Sequence, residues 1–475
     1  MDFDVLVIGS GPGGYKTAVN AAHRGARVAL VEKDLPGGTC LNQGCIPKKT
    51  LLYLAGLIED VKALNGKGLE GTTRGDFAAA LAHKDTVVAN IRNNFPIWLR
   101  RLGVTIFAGR ARLLEGRRAV IESEAASTLV RARSIVLATG AQPRQHPACA
   151  SDGKHIITSR DFMFTLRELP RSVLCLGGGP IGVELAYLLH QFGAHVTVVE
   201  QAERLLNKPC IPARASGMLE RKFHRLGIAV RKGATVVHSA VQADGVHVEF
   251  SDGSRAVFDK VLSAIGRQPN TDSLNLAGAG VEVDADGFVV TNDYLETTSP
   301  GIYAIGDVKY GPMTANAALH DAKIAATNAL DGNRLTRNYH RVPIVIDSAL
   351  EIAAVGLTEE RAEDAGFEPD VARANFSGSA KALGRNDYEG FIEVVHDEET
   401  GQMLGGCIVG PEAGEQIQML TAACQSPRGL WFLKDISYSH PSWCEELENA
   451  IDPYMADFIQ SGREVFRPGI YAINE

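Results

Sequence analysis

The chain opens on an unbroken apolar run, Val5-Leu6-Val7-Ile8, which stops at Gly9-Ser10-Gly11-Pro12-Gly13-Gly14 and gives way to a helical stretch. A short continuous apolar run bounded by glycine reads as a strand buried on both faces, as in a parallel sheet. A second such run, Val28-Ala29-Leu30-Val31, follows Gly25-Ala26-Arg27 and ends on Glu32. The pattern then recurs. Val173-Leu174-Cys175-Leu176 leads into Gly177-Gly178-Gly179-Pro180-Ile181-Gly182, a helical stretch, Gly193-Ala194-His195, Val196-Thr197-Val198-Val199 and Glu200. Gly9 to Gly177, Gly25 to Gly193 and Glu32 to Glu200 are separated by one constant offset. Strand, helix and strand in this order predict two βαβ modules in an α/β fold.

Further along, Ser134-Ile135-Val136-Leu137 runs into Ala138-Thr139-Gly140-Ala141-Gln142-Pro143, and Val261-Leu262 into Ala264-Ile265-Gly266-Arg267-Gln268-Pro269. Each reads as a terminal strand leading into a crossing between domains, with the residue before each proline extended. Gly301-Ile302-Tyr303-Ala304-Ile305-Gly306-Asp307 reads as another buried strand, and Asp307 just past it is placed either to meet a cofactor or to make an ordinary turn. After about residue 338 the pattern changes. Arg341 to Gly356 reads as one or two strands, and Thr358-Glu359-Glu360-Arg361-Ala362 as a helix start with capping-box character. Gly390 to His396 and Gly405 to Gly410 read as antiparallel strands around Glu398-Glu399-Thr400-Gly401. The predicted order is a first nucleotide-binding part over 1–145, a second nucleotide-binding domain over 146–269, a central part over 270–338 that completes the first, and an α+β domain over 339–475.

Both glycine loops match the G-x-G-x-x-G fingerprint. Gly9 and Gly177 permit the tight turn, Gly11 and Gly179 let backbone approach a pyrophosphate, and Gly14 and Gly182 let helix and strand pack closely. The helix N-terminus then offers unpaired N–H groups to phosphate. Glu32 and Glu200 stand where an acid accepts from ribose hydroxyls.

Composition narrows this further. The 475 residues suit roughly three domains of about 150 residues each. Lys+Arg 48 against Asp+Glu 56 gives a formal charge of -8, which argues against nucleic acid as a partner. No apolar run reaches the about 20 residues that span a bilayer, so no membrane partner is expected. Met1-Asp2-Phe3-Asp4 carries no basic start of a secretory signal, and a cytoplasmic protein is expected. Of the 8 cysteines, Cys149, Cys175, Cys210, Cys407, Cys424 and Cys444 are scattered, whereas Cys40 and Cys45 are close.

Cys40 and Cys45 enclose Leu41-Asn42-Gln43-Gly44 and precede Ile46-Pro47-Lys48-Lys49, from which an amphipathic helix is expected to run toward Val61. A cysteine at a helix N-terminus has a lowered pKa and forms the thiolate that exchanges with disulfides, and Lys48 and Lys49 add positive charge. Two buried free cysteines or half of a zinc site are the alternatives. Zinc needs a second close pair of ligands, so no metal is expected.

At Gly37-Gly38-Thr39-Cys40-Leu41-Asn42-Gln43-Gly44-Cys45-Ile46-Pro47-Lys48-Lys49 the sequence resembles the active-site segment of the pyridine nucleotide-disulfide oxidoreductases, and within them the branch that works on dihydrolipoyl groups. Nearly the whole chain follows the family's order of motifs. The resemblance implies two Rossmann-like dinucleotide-binding domains and a C-terminal α+β dimerisation domain. It implies FAD at Gly9, Gly11, Gly14, Glu32, Gly140 and Asp307, and NAD at Gly177, Gly179, Gly182, Glu200 and Gly266. Lys49 and Glu184 match an ion pair placed near the flavin. Cys45 would lie against the flavin and Cys40 would meet the substrate. The implied reaction is oxidation of protein-bound dihydrolipoyl groups by NAD through a Cys40–Cys45 disulfide. Reduction of another disulfide, such as glutathione, or service to a lipoyl carrier outside the 2-oxoacid dehydrogenase complexes, is the alternative.

In the tail, His440-Pro441-Ser442-Trp443-Cys444-Glu445 matches the family's His-Pro-Thr-x-x-Glu. The resemblance makes His440 the acid/base and Glu445 its orienting partner, both serving the other subunit of a homodimer whose active site is shared. Departures lie at Tyr438, Trp443, Cys444, Pro180, the stretch from Cys424 to Trp431, and an apparent extension from Arg463 to Glu475. They are expected to cluster at the substrate and nicotinamide mouths. The terminus Tyr471-Ala472-Ile473-Asn474-Glu475 has no cysteine pair of the kind a mercuric reductase carries. Glu200 would accept from a free 2′-hydroxyl and repel a 2′-phosphate, and Glu200-Gln201-Ala202-Glu203-Arg204 holds one arginine against two acids, which favours NAD over NADP.

Overall fold

The computed structural model of the chain describes residues 1–460, so both the expected extension from Arg463 and the Tyr471–Glu475 terminus lie outside the described residues. The chain divides into two compact units. The first holds Met1–Leu54, Gly75–Gly177 and Val236–Asn338; the second holds Ala55–Arg74, Gly178–Thr235 and the chain from Tyr339 onward. Among the described residues no helix is long and apolar enough to cross a membrane.

The main sheet of the first unit runs in the order Thr105–Ala108, Val28–Glu32, Asp2–Ile8, Ser127–Leu137, Arg118–Glu122, Arg110–Leu114, with Ile302–Ala304 also paired to Ser127–Leu137. Pairing is parallel on both sides of Asp2–Ile8 and antiparallel from Ser127–Leu137 outward. The unbroken apolar run is explained by the two faces of this sheet. Leu6, Ile8, Ala29 and Val31 join a core with Leu274, Val281 and Val289, while Val5, Val7, Val28 and Leu30 join another with Ala18, Leu99 and Ile324. With a side-chain period of two, both faces of each strand are buried. Chain order reverses at Asp2–Ile8, so Gly9–Gly14 sits at the topological switch point, where open α/β sheets bind their ligands.

A smaller parallel group in the same unit joins Ser172–Leu176, Lys260–Ser263 and Ile156–Thr158. The two Gln-Pro echoes pair with one another, Ala141–Pro143 antiparallel to Arg267–Pro269.

In the second unit the helix Pro180–Phe192 starts with proline in its first turn and ends at Gly193, whose φ of 113° only glycine adopts readily. Strand His195–Val199 follows and pairs in parallel with Ala229–Arg231. The tail forms a five-stranded antiparallel sheet in the order Ile344–Asp347, Glu351–Gly356, Met403–Val409, Phe391–Asp397, Pro369–Asn375. Helices Ala413–Ala423 and Glu445–Gln460 contribute Ile417, Leu420, Leu447 and Ile451 to its core. One expectation fails here. Thr358 stands at the start of Glu359–Asp364 but makes no side-chain cap, and Arg361 stands where the reciprocal half of a capping box needs an acid or amide. A complete capping box forms instead at Thr158 and Asp161.

Candidate active site

The first glycine loop is built by steric necessity at its ends and by empty space in its middle. Gly9 has φ +104°, and a Cβ there would lie 2.3 Å from the Ala138 carbonyl oxygen. A Cβ on Gly14 would lie 1.8 Å from the Gly9 carbonyl oxygen. At Gly11 and Gly140 a Cβ would meet nothing within 4 Å. Glu32 braces the turn by accepting from the Ser10 amide at 3.0 Å, the Ser10 hydroxyl at 2.6 Å and the Asp34 amide at 2.9 Å.

The cysteine segment packs directly on this loop. The Gly37 amide donates to Ser10 Oγ at 2.9 Å, and a Cβ on Gly38 would lie 2.7 Å from Gly11 Cα. Cys40 lies in the short helix Gly38–Gln43 and Cys45 opens Cys45–Ala63, with Gly44 between them. Both are half-buried thiols and neither is in a disulfide. Cys40 hydrogen-bonds to Cys45, and that contact, with burial second, holds the Cys40 thiol far above the usual cysteine range. Cys40 is the third residue of Gly38–Gln43, and the contact with Cys45 and burial outweigh its place in that first turn. Lys49 falls on Cys45–Ala63, half-buried.

Around Asp307 the chain assembles charges that had no common signal in the sequence. Asp307 sits in the turn Gly306–Val308, and Arg267 Nε lies 3.4 Å from its Oδ2. Burial raises the Asp307 pKa, opposed by Arg267 and Lys309. Lys309 and Asp321 form a buried ion pair at 3.2 Å, and Asp321 also accepts from the Gly306 amide at 3.0 Å. Burial lowers the Lys309 pKa, with Asp321 the main opposing influence. Gly266, next to Arg267, has φ +118° and open space at its Cβ position.

The second glycine loop repeats the first. Gly177 has φ +109° and a Cβ there would lie 2.6 Å from the Ala264 carbonyl oxygen, whereas Gly179 meets nothing within 4 Å. Gly182 is buried in the first turn of its helix. Glu200 accepts from the Gly178 amide at 2.7 Å and the Ala202 amide at 2.8 Å, the counterpart of Glu32 on the first loop. Arg204 donates to Asn207 Oδ1 at 3.1 Å and the Ile211 carbonyl at 2.9 Å, which turns its guanidinium onto its own loop. Glu184 is buried and accepts from the Asp347 amide at 3.1 Å.

In the tail, His440 Nδ1 lies 2.9 Å from Glu445 Oε2, with 78% of the His440 side chain exposed against 18% for Glu445. Glu445 is held by Ser442. Its Oε1 accepts from the Ser442 amide at 3.3 Å, and the Glu445 amide donates to Ser442 Oγ at 3.2 Å. Trp443 is 6% exposed, edge-on to Phe376 at 5.6 Å. With Cys444, Met419, Phe432 and Ile436 it also lines a cavity of about 580 Å³. Tyr438 donates to the Leu433 carbonyl at 2.9 Å.

Residues 3–322 match the family described as pyridine nucleotide-disulphide oxidoreductase, and residues 342–451 its dimerisation domain. The chain is a pyridine nucleotide-disulfide oxidoreductase. Its cofactors are FAD and NAD, and its C-terminal domain supports a homodimer. It is similar to the dihydrolipoyl dehydrogenase of Chlorobaculum tepidum, 37% identical over 94% of this chain and 96% of the relative. That of Thermus scotoductus is 36% identical over 95% and 97%. Among solved structures, LpdA from Mycobacterium tuberculosis superposes with a TM-score of 0.89 at 26% identity, over 95% of this chain and 99% of that one. The HOCl-induced flavoprotein disulfide reductase RclA from Escherichia coli, in its Cu(II) complex, superposes with a TM-score of 0.84 at 29% identity over the same shares.

The residues of this flavin disulfide oxidoreductase fit its cofactors. The open Cβ positions of Gly11, Gly140 and Gly179 are cradles that a side chain would fill, and each fingerprint loop carries an acid with lone pairs to spare. Sequence reasoning missed Ser10, which ties loop to redox segment. It also missed Arg267 beside Asp307 and Ser442 beneath Glu445. Only Ser442 left a readable signal, the Ser-x-x-Glu spacing of a capping box.

Proposed function

We propose that this oxidoreductase oxidises protein-bound dihydrolipoyl groups with NAD as acceptor, as a cytoplasmic homodimer. The observation that carries the reading is the Cys40–Cys45 thiol contact on a segment hydrogen-bonded to the first glycine loop. Residues 1–145 and 270–338 bind FAD in this reading, 146–269 bind NAD and 339–475 form the subunit interface. Gly9, Gly11, Gly14, Glu32, Lys49, Gly140 and Asp307 serve FAD, and Gly177, Gly179, Gly182, Glu184, Glu200 and Gly266 serve NAD. The acid at Glu200 and the inward-turned Arg204 support NAD over NADP, since a 2′-phosphate would meet the Glu200 carboxylate while Arg204 is engaged on its own loop.

His440 of one subunit takes a proton from the substrate dithiol near the other subunit's cysteine pair, the work of a positioned general base. The substrate thiolate attacks Cys40 Sγ. The Cys40–Cys45 bond breaks, a substrate–Cys40 disulfide forms and Cys45 leaves as thiolate. The second substrate thiol attacks the substrate sulfur of that mixed disulfide, closing the oxidised substrate and releasing Cys40, which takes up a proton. FAD, held at the first glycine loop, would supply the two-electron redox chemistry that links the cysteine pair to NAD.

Steady-state comparison of free dihydrolipoamide, lipoylated carrier proteins and glutathione disulfide, each with NAD(H) and NADP(H), tests the reading. Dihydrolipoyl substrates with NAD are expected to turn over fastest, and Cys40→Ser to abolish that turnover. Retained turnover in Cys40→Ser refutes the scheme. The similarity to RclA supports a second reading, a reductase of another disulfide substrate. Under it glutathione or another low-molecular-weight disulfide outruns the lipoyl compounds.

A further inference from the structure

Resting on the reading of His440 as the base, we propose that Ser442 is a positioning residue for the dithiol reaction, acting through Glu445. Glu445 uses its two carboxylate oxygens for two different jobs. Oε2 receives His440 Nδ1 at 2.9 Å, and Oε1 receives the Ser442 amide at 3.3 Å. Ser442 Oγ closes the loop by accepting from the Glu445 amide at 3.2 Å. The reciprocal pair has the geometry of a capping box at the start of Glu445–Gln460. Its acid, however, is also the partner of the exposed imidazole. A cap that would elsewhere only stabilise a helix end here fixes the rotamer of the orienting carboxylate.

The turn has little freedom to supply that orientation any other way. Trp443 is 6% exposed and edge-on to Phe376, with Lys381 and Arg385 over its ring at 5.8 and 5.9 Å. The Leu447 amide donates to the Cys444 carbonyl at 3.0 Å. The backbone from Ser442 to Glu445 is thereby anchored, and the Glu445 side chain has one well-defined way back. With Oε2 on Nδ1, the imidazole keeps its Nδ1 proton and presents Nε2 as the base. The charged and titratable groups around this turn are Glu445, Glu446 and Glu448 on the helix, Lys381 and Arg385 over Trp443, and the Cys444 thiol, which burial raises.

The test compares wild-type holoenzyme with Ser442→Ala and Ser442→Thr. Ser442→Ala is expected to lower kcat for dihydrolipoamide oxidation by about tenfold, as loss of a group supporting an orienting ligand does elsewhere. Reduction of ferricyanide by NADH, which needs no dithiol, stays unchanged. The fall is expected in kcat with KM for dihydrolipoamide unchanged, because a loosened Glu445 misorients the base without touching the substrate. Ser442→Thr keeps the hydroxyl and is expected to hold kcat, KM and the ferricyanide rate at wild-type values. An unchanged kcat in Ser442→Ala overturns the proposal, as does an equal fall in dithiol and ferricyanide rates, or a failure of threonine to preserve function. If wild type oxidises no dihydrolipoyl substrate but turns over another disulfide, and Ser442→Ala slows that turnover about tenfold with the ferricyanide rate unchanged, the positioning role stands and the functional reading falls.

Discussion

Gly11→Ala is expected to strip this enzyme of FAD while leaving the apoprotein folded. Gly11 has φ -63° and ψ -177°, extended backbone that alanine adopts freely, and its Cβ position meets nothing within 4 Å. The cost to the apoprotein is confined to the weaker N-cap preference of alanine, about 0.5–1 kcal/mol. The cost to flavin is larger. If the pyrophosphate lies against Gly11 as proposed, a methyl there holds the phosphates off the helix N-terminus. Charge-assisted hydrogen bonds are worth about 1.5–3 kcal/mol each, so losing two removes about 3–6 kcal/mol. At about 1.4 kcal/mol per decade, this weakens binding by about 10²- to 10⁴-fold. Gly14→Ala is the contrasting control. Its Cβ would fall 1.8 Å from the Gly9 carbonyl oxygen, where real contacts stay beyond 3.0 Å, so the loop moves by more than an ångström and the apoprotein itself is destabilised. Gly179→Ala, also extended and open at its Cβ position, leaves flavin content intact and raises KM for NAD. The assay is the flavin-to-protein absorbance ratio of purified variants, FAD titration of the apoproteins and their thermal melting. A Gly11→Ala protein that binds FAD within about threefold of wild type, a difference of only about 0.7 kcal/mol, refutes the reasoning. So does one whose apoprotein melts as low as that of Gly14→Ala.

Two further predictions concern charged side chains. Asp387, raised from 3.8 to about 6 by burial and then by Asp60, with Lys222 and Arg385 opposing, destabilises the folded state once ionised. Because its folded pKa lies above the unfolded one, wild-type stability falls as pH rises through that window. Asp387→Asn is therefore expected to be more stable above pH 6 by about 1–2 kcal/mol after allowance for solvent screening, with the gain vanishing near pH 4, measured as urea midpoints across pH. An equal gain at both ends of the range contradicts the assignment. Asp321→Asn, which removes the carboxylate 3.2 Å from Lys309, is expected to cost about 3–5 kcal/mol. Lys309→Met/Asp321→Asn recovers most of that loss in the same denaturation assay. Since a depressed lysine pKa makes the unfolded state bind more protons, Asp321→Asn also gains relative stability as pH rises. A double variant as unstable as the sum of its singles is the contrary result.

Much of this protein was legible before any tertiary structure, for reasons local to the chain. Buried parallel strands leave continuous apolar runs, and loops that approach phosphate need glycine at fixed spacing. That local logic exposed both modules, the Cys40–Cys45 pair and the antiparallel tail. The Ser-x-x-Glu cap beneath His440 belongs to the same class and simply went unread. Tertiary structure decided what depends on distant segments meeting. Arg267 reaches Asp307, Lys309 reaches Asp321, and the two Gln-Pro crossings pair, because the fold returns those stretches to one another. It also decided burial. Trp443 is 6% exposed, which the sequence leaves open, since only packing determines whether an aromatic faces water. The Cys40 thiol is raised, since the contact with Cys45 and the depth of burial outweigh its place in the first helical turn. Residue type and spacing determine which local chemistries are available; the fold determines which of them meet, and how far from water.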